Sequence, residues 1–164
     1  MNSIPDSLPA ELNDKLRGRV VFVGIGNLLK GDDALGPKLV EGLASKGLKT
    51  VDAGTTPENY IGKVASMEPD TVVLIDAVHL DSKPGSVELL EREDILGGIG
   101  FTTHTQSPAM VMERLELETG AAVLMLAVQP ASLTMGAELT PAVQNTLNRL
   151  TIILGGQPGV GSNI

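Results

Sequence analysis

The sequence predicts an α/β fold with three layers, in which helices cover both faces of a mainly parallel five-stranded sheet with one antiparallel edge strand. Nearly continuous apolar runs, typical of strands buried on both faces, occur at 20–25, 71–77 and 121–128. Helical segments separate these runs, and strands that alternate with helices form parallel sheets through crossover connections. Apolar and polar residues alternate around Val87, which predicts the edge strand with one face in water.

The segments after the first strand predict one helix and one further strand. A helix is expected over 32–45, because leucines recur every fourth residue and define one apolar face: Leu35, Leu39 and Leu43. A second, short strand is expected over 48–52. Gly47 lies between the two and favours the end of the helix.

Three later helices are predicted to begin at a hydroxyl residue followed by proline. The hydroxyl can cap the first turn, and proline suits the first helical position. The pairs are Thr56-Pro57, Ser107-Pro108 and Thr140-Pro141. The last helix is expected to reach about Leu154, and a glycine-containing loop is expected over 97–103.

The 164 residues are predicted to form one domain over 19–154, with a leader at 1–18 and a flexible, glycine-rich tail at 155–164. A short helix is expected within the leader, over 10–16. The chain is 42% hydrophobic but only 2% aromatic, so its core must consist mainly of aliphatic side chains. This amount of apolar sequence suffices for one core.

Charge and composition exclude several classes of function. The formal net charge is −8 and basic residues do not cluster, which argues against nucleic acid and anionic membranes as partners. The chain has no cysteine, which excludes disulfides, thiolate metal sites and a cysteine nucleophile. Without an apolar signal segment or a membrane span, a cytoplasmic location is expected. The small size and acidic surface favour a monomer that meets its partner transiently.

Acidic residues follow the predicted strands at the edge where parallel sheets hold their sites. Asp32 and Asp33 follow the first strand, Asp52 ends the second and Asp76 lies in the third. A buried carboxylate costs several kcal/mol unless it is paired. Asp76, within a continuous apolar run, is therefore a candidate site residue.

Nucleotide binding is disfavoured by the residues of the first loop. Gly24 and Gly26 resemble the start of a dinucleotide fingerprint, but Leu29 stands in place of its third glycine. The spacing of Gly26 and Gly31 resembles a P-loop, but Asp32 stands where a lysine would meet phosphate, and paired carboxylates repel phosphate.

Two carboxylates and one histidine together indicate a metal site. Asp33, Asp76 and His104 would provide oxygen and nitrogen ligands with open coordination positions, a set that suits nickel, zinc or iron(II). A purely structural interpretation is also open. In that case Asp33 interacts favourably with a helix dipole and Asp76 accepts backbone hydrogen bonds. His79 is expected to be a solvated residue on a surface turn.

A series of short motifs, in order over roughly residues 20 to 154, resembles the hydrogenase maturation endopeptidases. The motifs are Gly24-Ile-Gly-Asn27, Gly31-Asp-Asp33-x-x-Gly36-Pro37, Asp52-Ala-Gly-Thr-Thr-Pro-Glu58, Leu74-Ile-Asp76-Ala77, Thr102-Thr-His104 and Val128-Gln-Pro130. The forms Thr-Pro-Glu and Thr-Thr-His are similar to the branch that serves formate-hydrogenlyase-type hydrogenases. The leader and the glycine-rich tail depart from the short-ended pattern of the family.

The resemblance implies a function and a set of site residues. The family's metal-contacting triad falls on Asp33, Asp76 and His104, which it also implies are catalytic, with Asp52 and Gln129 as possible accessory residues. The implied substrate is the precursor of a nickel–iron hydrogenase large subunit, whose C-terminal extension is removed after nickel insertion. The nickel is implied to come with the substrate, and a resident divalent metal is left open. The alternatives are a peptidase of another substrate class on this fold and a non-catalytic escort module for nickel proteins.

Overall fold

The computed structural model describes residues 4–96, 100–101 and 107–157. Its strands are β1 Val20–Ile25, β2 Lys49–Gly54, β3 Thr71–His79, β4 Val87–Leu90, β5 Gly100–Phe101 and β6 Ala122–Val128. Its α-helices are α1 Leu8–Lys15, α2 Leu35–Ala44, α3 Ile61–Ser66, α4 Arg92–Leu96, α5 Pro108–Thr119 and α6 Pro141–Gly155. Short 3₁₀ helices at Gly31–Ala34 and Pro57–Tyr60 lead directly into α2 and α3.

The main sheet has the strand order β2-β1-β3-β6-β4. The first four of these strands are parallel, and β4 pairs antiparallel with β6 at the edge. The predicted five-stranded sheet with one antiparallel edge strand is therefore confirmed. β5, which lies within the segment predicted as a loop, pairs antiparallel with the end of β3 through Val78 and His79.

Helices cover both faces of the sheet, because alternate strand residues point to two separate cores. Val21 and Val23 of β1 face one core, to which α3, α4 and α5 contribute. Val20 and Phe22 face the other core, which α1, α2 and α6 close. The predicted apolar face of α2, formed by Leu35, Leu39 and Leu43, lies in this second core. The residues that α6 contributes to it include Val143, Leu147 and Leu150.

The N-terminal segment packs as part of the second core. The predicted short helix is found as α1, and it begins two residues earlier than expected. Ile4, Leu8 and Leu12 are buried in the same apolar cluster as residues of α2 and α6, and Leu16 packs against this cluster. At the other end of the chain α6 continues through Gly155, the first residue of the predicted tail, and 158–164 lie outside the described residues.

The three predicted caps do stand at the N-cap positions and the prolines follow them, but the expected capping hydrogen bonds are absent. The helical segments after Thr56, Ser107 and Thr140 begin at the prolines, but none of the three hydroxyls makes a capping hydrogen bond. Thr140 has another partner, because its hydroxyl donates to the carboxylate of Asp32. No helix in the described ranges is long and apolar enough to cross a bilayer.

Candidate active site

The candidate site lies where the sheet changes direction. From β1 the chain continues to β2 on one side, and it later enters β3 on the other side. The carboxyl ends of β1 and β3 are therefore neighbours, and such a switch point is the usual ligand site of an open parallel sheet. Gly36 allows the start of α2 to pack directly against these strand ends. A Cβ atom at this position would lie 2.3 Å from the carbonyl oxygen of Ile25 and 2.6 Å from that of Ile75, which is too close for any side chain.

Asp33 lies in the 3₁₀ turn just before α2 and is fully buried. Its Oδ2 accepts a hydrogen bond of 2.8 Å from the backbone N–H of Asn27. The close packing of this loop requires a glycine at position 26. Gly26 has φ +145°, and a Cβ atom there would lie 1.9 Å from the carbonyl oxygen of Asp33. The chain that leaves β1 thus folds back to hold Asp33 at the switch point.

Asp76 is fully buried in β3, immediately after Ile75. Ile75 is the last residue of β3 that pairs with β1, and Asp76 pairs with Ala127 of β6. The turn that carries Asp33 contacts β3. The structure therefore brings Asp33 and Asp76 to the same end of the sheet, both removed from water.

His104, the third predicted ligand, lies outside the described residues, so the predicted triad stays a prediction. Within 4–96, 100–101 and 107–157, no group of three or more His, Asp or Glu residues is arranged to hold a metal ion. The described part of the site consists of the two carboxylates of Asp33 and Asp76.

Asp32 connects the 3₁₀ turn at 31–34 to the loop that follows β6. We call the hydrogen bonds of its carboxylate the clamp. Its buried carboxylate accepts backbone hydrogen bonds from Ala131 at 2.8 Å, Ser132 at 3.0 Å and Thr140 at 2.7 Å. The hydroxyl of Thr140 donates to the same carboxylate. Hydrogen bonds to a charged acceptor are stronger than neutral ones. The two adjacent acids thus have different surroundings, because Asp32 joins two loops while Asp33 faces the end of β1.

The same two loops also pair along their backbones. Lys30 and Met135 form an antiparallel bridge. The N–H of Gly136 donates to the carbonyl of Leu29 at 2.7 Å, and that of Asp32 donates to the carbonyl of Ser132 at 2.9 Å. Residues 29–32 and 132–136 therefore form a short ribbon beside the site.

Asp52, a predicted accessory residue, is exposed in β2, which continues to Gly54 and so ends two residues later than predicted. Its Oδ1 accepts a hydrogen bond of 3.1 Å from the N–H of Gly54. It borders an open cavity of about 290 Å³ that lies between the loops after β1 and β2. The other lining residues are Gly26, Asn27, Leu28, Pro37, Gly54 and Thr55. Asp52 thus lies at a cavity that is also lined by Asn27, the hydrogen-bond partner of Asp33.

Gln129, the other predicted accessory residue, is buried at the end of β6. Its Oε1 accepts the N–H of Leu80 at 2.5 Å, and its Nε2 donates to the carbonyl of Pro130 at 3.0 Å. Nε2 also lies 3.3 Å from Nδ1 of His79, which is exposed as predicted but is the last residue of β3 and not part of a turn. The Gln129 side chain therefore joins the ends of β3 and β6 and shapes the wall on that side.

Sequence reasoning missed the different roles of the two adjacent acids. In the sequence, Asp32 and Asp33 are two adjacent acids of the same kind. The position of Asp32 indicates only that the loop does not bind phosphate. The partners of Asp32 lie 99 to 108 residues further along the chain, and no local pattern indicates them. The available signal was the pair of acids itself, because side chains at successive positions of one helical turn point in different directions.

These features define a class: an α/β protein whose buried carboxylates meet at the switch point of a parallel sheet. The family model for hydrogenase maturation proteases, HycI, matches residues 35–155. The chain belongs to the hydrogenase maturation protease family. Because the relatives are named as proteases and endopeptidases, the protein is assigned as a peptidase.

Known relatives resemble the chain over most of its length. A putative hydrogenase maturation protease of Methanocaldococcus jannaschii is 30% identical over 132 residues, which cover 73% of this chain and 78% of the relative. The hydrogenase 3 maturation protease of Escherichia coli K12 is 28% identical over 144 residues, 86% of this chain and 92% of the relative. The crystal structure of the NiFe hydrogenase maturation protease HycI from Thermococcus kodakarensis KOD1 aligns with a TM-score of 0.79 and 30% identity, covering 88% of this chain and 96% of the other.

Proposed function

We propose that the protein is an endopeptidase that removes the C-terminal extension of a nickel–iron hydrogenase large-subunit precursor after nickel insertion. In this proposal Asp33, Asp76 and His104 recognise the nickel that the precursor carries. The observation that carries the proposal is the pair of fully buried carboxylates at the switch point of a chain in the hydrogenase maturation protease family. The cytoplasmic location and the monomeric state stay predictions from the sequence.

The chemistry of the two carboxylates supports recognition of a cation. Two buried negative charges at one end of a sheet are costly unless a positive charge or hydrogen bonds compensate them. Carboxylate oxygens together with the imidazole of His104 form a ligand set that suits nickel. A precursor without nickel would bring no such cation to the site. The same carboxylates then distinguish a loaded precursor from an empty one.

The reaction is the hydrolysis of one peptide bond. The oxygen of water adds to the scissile carbonyl carbon, the C–N bond breaks, and the departing amine takes a proton. Two routes fit the residues: a carboxylate of Asp33 or Asp76 acts as general base toward the water, or the metal polarises the carbonyl and activates the water. Both routes need the scissile bond next to the carboxylates. The neighbouring cavity, open to solvent and bordered by Asp52 and Asn27, offers room for the peptide.

The test is incubation of the purified protein with its cognate large-subunit precursor, with and without nickel, followed by mass measurement of the precursor. We expect loss of a C-terminal peptide from the nickel-loaded form only. Asp76→Ala is expected to abolish this cleavage. Glu88→Gln, which changes an exposed carboxylate on the edge strand β4, serves as the matched control and should cleave normally.

The two alternatives give other outcomes in the same experiment. A non-catalytic escort module would bind the loaded precursor and leave its mass unchanged. A peptidase of another substrate class would leave the precursor intact without binding it. Equal cleavage with and without nickel would contradict the recognition of nickel, but it would still support the endopeptidase activity.

A further inference from the structure

Asn27 carries a side-chain amide at the cavity beside Asp33. It is half-buried and lies two residues after the end of β1. Its backbone N–H donates to Oδ2 of Asp33 at 2.8 Å, and the residue also lines the cavity of about 290 Å³. One residue therefore connects a buried carboxylate of the candidate site with the space that is proposed for the peptide.

The orientation of the Asn27 amide is fixed by its own loop. Its Oδ1 accepts a hydrogen bond of 2.8 Å from the backbone N–H of Leu29, in the manner of an Asx turn. Only the oxygen of an amide can accept this hydrogen bond, so the NH₂ group occupies the other position. Within 4–96, 100–101 and 107–157 no acceptor is hydrogen-bonded to Nδ2. The N–H bonds of Nδ2 are therefore left for a ligand in the cavity.

The other donors around this cavity are less suited to a ligand beside Asp33. The backbone N–H of Gly26 already donates to the carbonyl of Gly54, and that of Gly54 donates to Asp52. The hydroxyl of Thr55 also lines the cavity, but Thr55 is exposed and lies on the loop after β2. The amide of Asn27 is both held in place and next to the carboxylate.

Hydrolysis at this site creates a negative charge near two carboxylates. When water adds to the scissile carbonyl carbon, an electron pair of the C=O bond moves to the oxygen. The carboxylates repel this charge, whereas a donor already held in position stabilises it without reorganisation.

The amide and the carboxylate are close enough to contact one reacting group. Nδ2 is four covalent bonds from the backbone nitrogen of Asn27 and so lies within about 5 Å of it. That nitrogen is 2.8 Å from Oδ2 of Asp33. The amide therefore lies within about 8 Å of the carboxylate, a span that one water molecule and one carbonyl group can fill.

We propose that Asn27 is a catalytic residue, whose side-chain N–H donates to the scissile carbonyl oxygen and stabilises its developing negative charge. This inference rests on the proposed function and adds a residue to its chemistry. The oxygen of water adds to the carbonyl carbon, and a carboxylate of Asp33 or Asp76 accepts the proton of water. The oxygen held by Asn27 then returns its electron pair, the C–N bond breaks, and the proton passes to the departing amine.

The test compares Asn27→Asp with Asn27→Ala, because the two variants lose the donor in different ways. The Asn27→Asp side chain still accepts the N–H of Leu29, but it adds a negative charge. The Asn27→Ala side chain adds no charge, but it leaves Leu29 without its acceptor. Only the loss of the Nδ2 donor is common to both. The same two substitutions at Asn145, which is exposed on α6, serve as matched controls.

For the nickel-loaded precursor we expect kcat to fall about a hundredfold or more in both Asn27 variants, the loss that is typical of one such donor. KM should stay within about threefold of wild type, because the donor acts mainly in the transition state. Thermal unfolding should show a Tm about 2–4 °C lower for Asn27→Ala and little change for Asn27→Asp. The Asn145 variants should keep kcat and KM.

The outcomes separate this inference from the proposed function. If the wild type does not cleave the loaded precursor, the proposed function fails, and the role of Asn27 fails with it. If the wild type cleaves and Asn27→Asp keeps its kcat, the residue serves only the turn and the inference alone is overturned. A normal kcat in Asn27→Ala would assign the loss in Asn27→Asp to the added charge, which also overturns it. A raised KM with unchanged kcat in both variants would indicate ground-state binding and would likewise contradict a catalytic role.

Discussion

Replacing Asp32 by asparagine tests whether its carboxylate clamps the two loops. One carboxylate oxygen accepts the N–H groups of Ala131 and Ser132, and the other accepts the N–H of Thr140. An asparagine can place its single oxygen on only one of these sides. Its NH₂ group must then face at least one backbone N–H, so Asp32→Asn replaces an attraction with a contact between two donors.

The size of the effect follows from these contacts. A hydrogen bond to a charged group contributes about 1.5–3 kcal/mol, and a buried donor left without its acceptor costs about 1–3 kcal/mol. For Asp32→Asn we expect the free energy of unfolding to fall by about 2–4 kcal/mol. In a domain of this size that is a decrease of roughly 5–15 °C in Tm. Thr140→Val removes the hydroxyl and keeps the N–H, so its cost should be nearer 1 kcal/mol.

Urea unfolding followed by circular dichroism measures the change, with Asp52→Asn as the matched control. Asp52 undergoes the same chemical change, but it is exposed and accepts one backbone N–H at 3.1 Å. Its free energy of unfolding should change by less than about 1 kcal/mol. An Asp32→Asn variant within about 0.5 kcal/mol of wild type would refute the clamp, because its hydrogen bonds would then contribute almost nothing.

Three further perturbations test other features. Gly26→Ala should lower the free energy of unfolding by at least about 2 kcal/mol in urea titrations, because its Cβ would meet the carbonyl oxygen of Asp33. Asp76→Asn should slow cleavage of the loaded precursor about a hundredfold or more in timed mass measurements, because the carboxylate charge is lost. A hydrogen bond to Glu91 raises the pKa of Lys15 above its ordinary value of 10.5. The pair should therefore stabilise the fold fully when the pH is below this ordinary value, and the stabilisation should be lost as the pH rises through the raised pKa. Lys15→Gln should therefore cost about 0.5 kcal/mol or less at pH 7, and the difference from wild type should vanish at higher pH.

Each of these predictions has a control or a contrary outcome. Gly47→Ala also places alanine at positive φ, but no atom lies within 4 Å of its Cβ, so it should cost less than Gly26→Ala. Equal costs would show that backbone strain alone matters. Normal cleavage by the Asp76→Asn variant would show that the reaction does not require this carboxylate charge. A Lys15→Gln difference that grows with pH would contradict the sign derived from the raised pKa.

The sheet could be predicted from the sequence because its strands carry a strong local signal. The runs at 20–25, 71–77 and 121–128 are short and almost continuously apolar, a pattern typical of strands covered on both sides. β1 matches its prediction to the residue, and β3 and β6 match within two residues. The alternation near Val87 likewise placed the antiparallel edge strand.

The details that depend on distant partners could not be predicted in this way. The hydroxyl of Thr140 was assigned to its own helix, because the sequence does not show that the carboxylate of Asp32 lies nearby. Likewise, the segment at 32–45 begins with a 3₁₀ turn, because this turn must fit the ends of β1 and β3. The positions of Asp33 and Asp76 at one edge were predictable from the parallel direction of the strands, whereas the clamp beside them was not.

The clamp also sets the order in which the protein can acquire its function during synthesis. Asp32 and Thr140 are 108 residues apart in the chain, and β2, β3 and β6 lie between them. While a ribosome is still producing the segment before Ala131, the carboxylate of Asp32 has none of its hydrogen-bond partners from the later loop. The scaffold of the site therefore closes only after nearly the whole domain has emerged and folded, so a growing chain carries the carboxylates long before they are held in place.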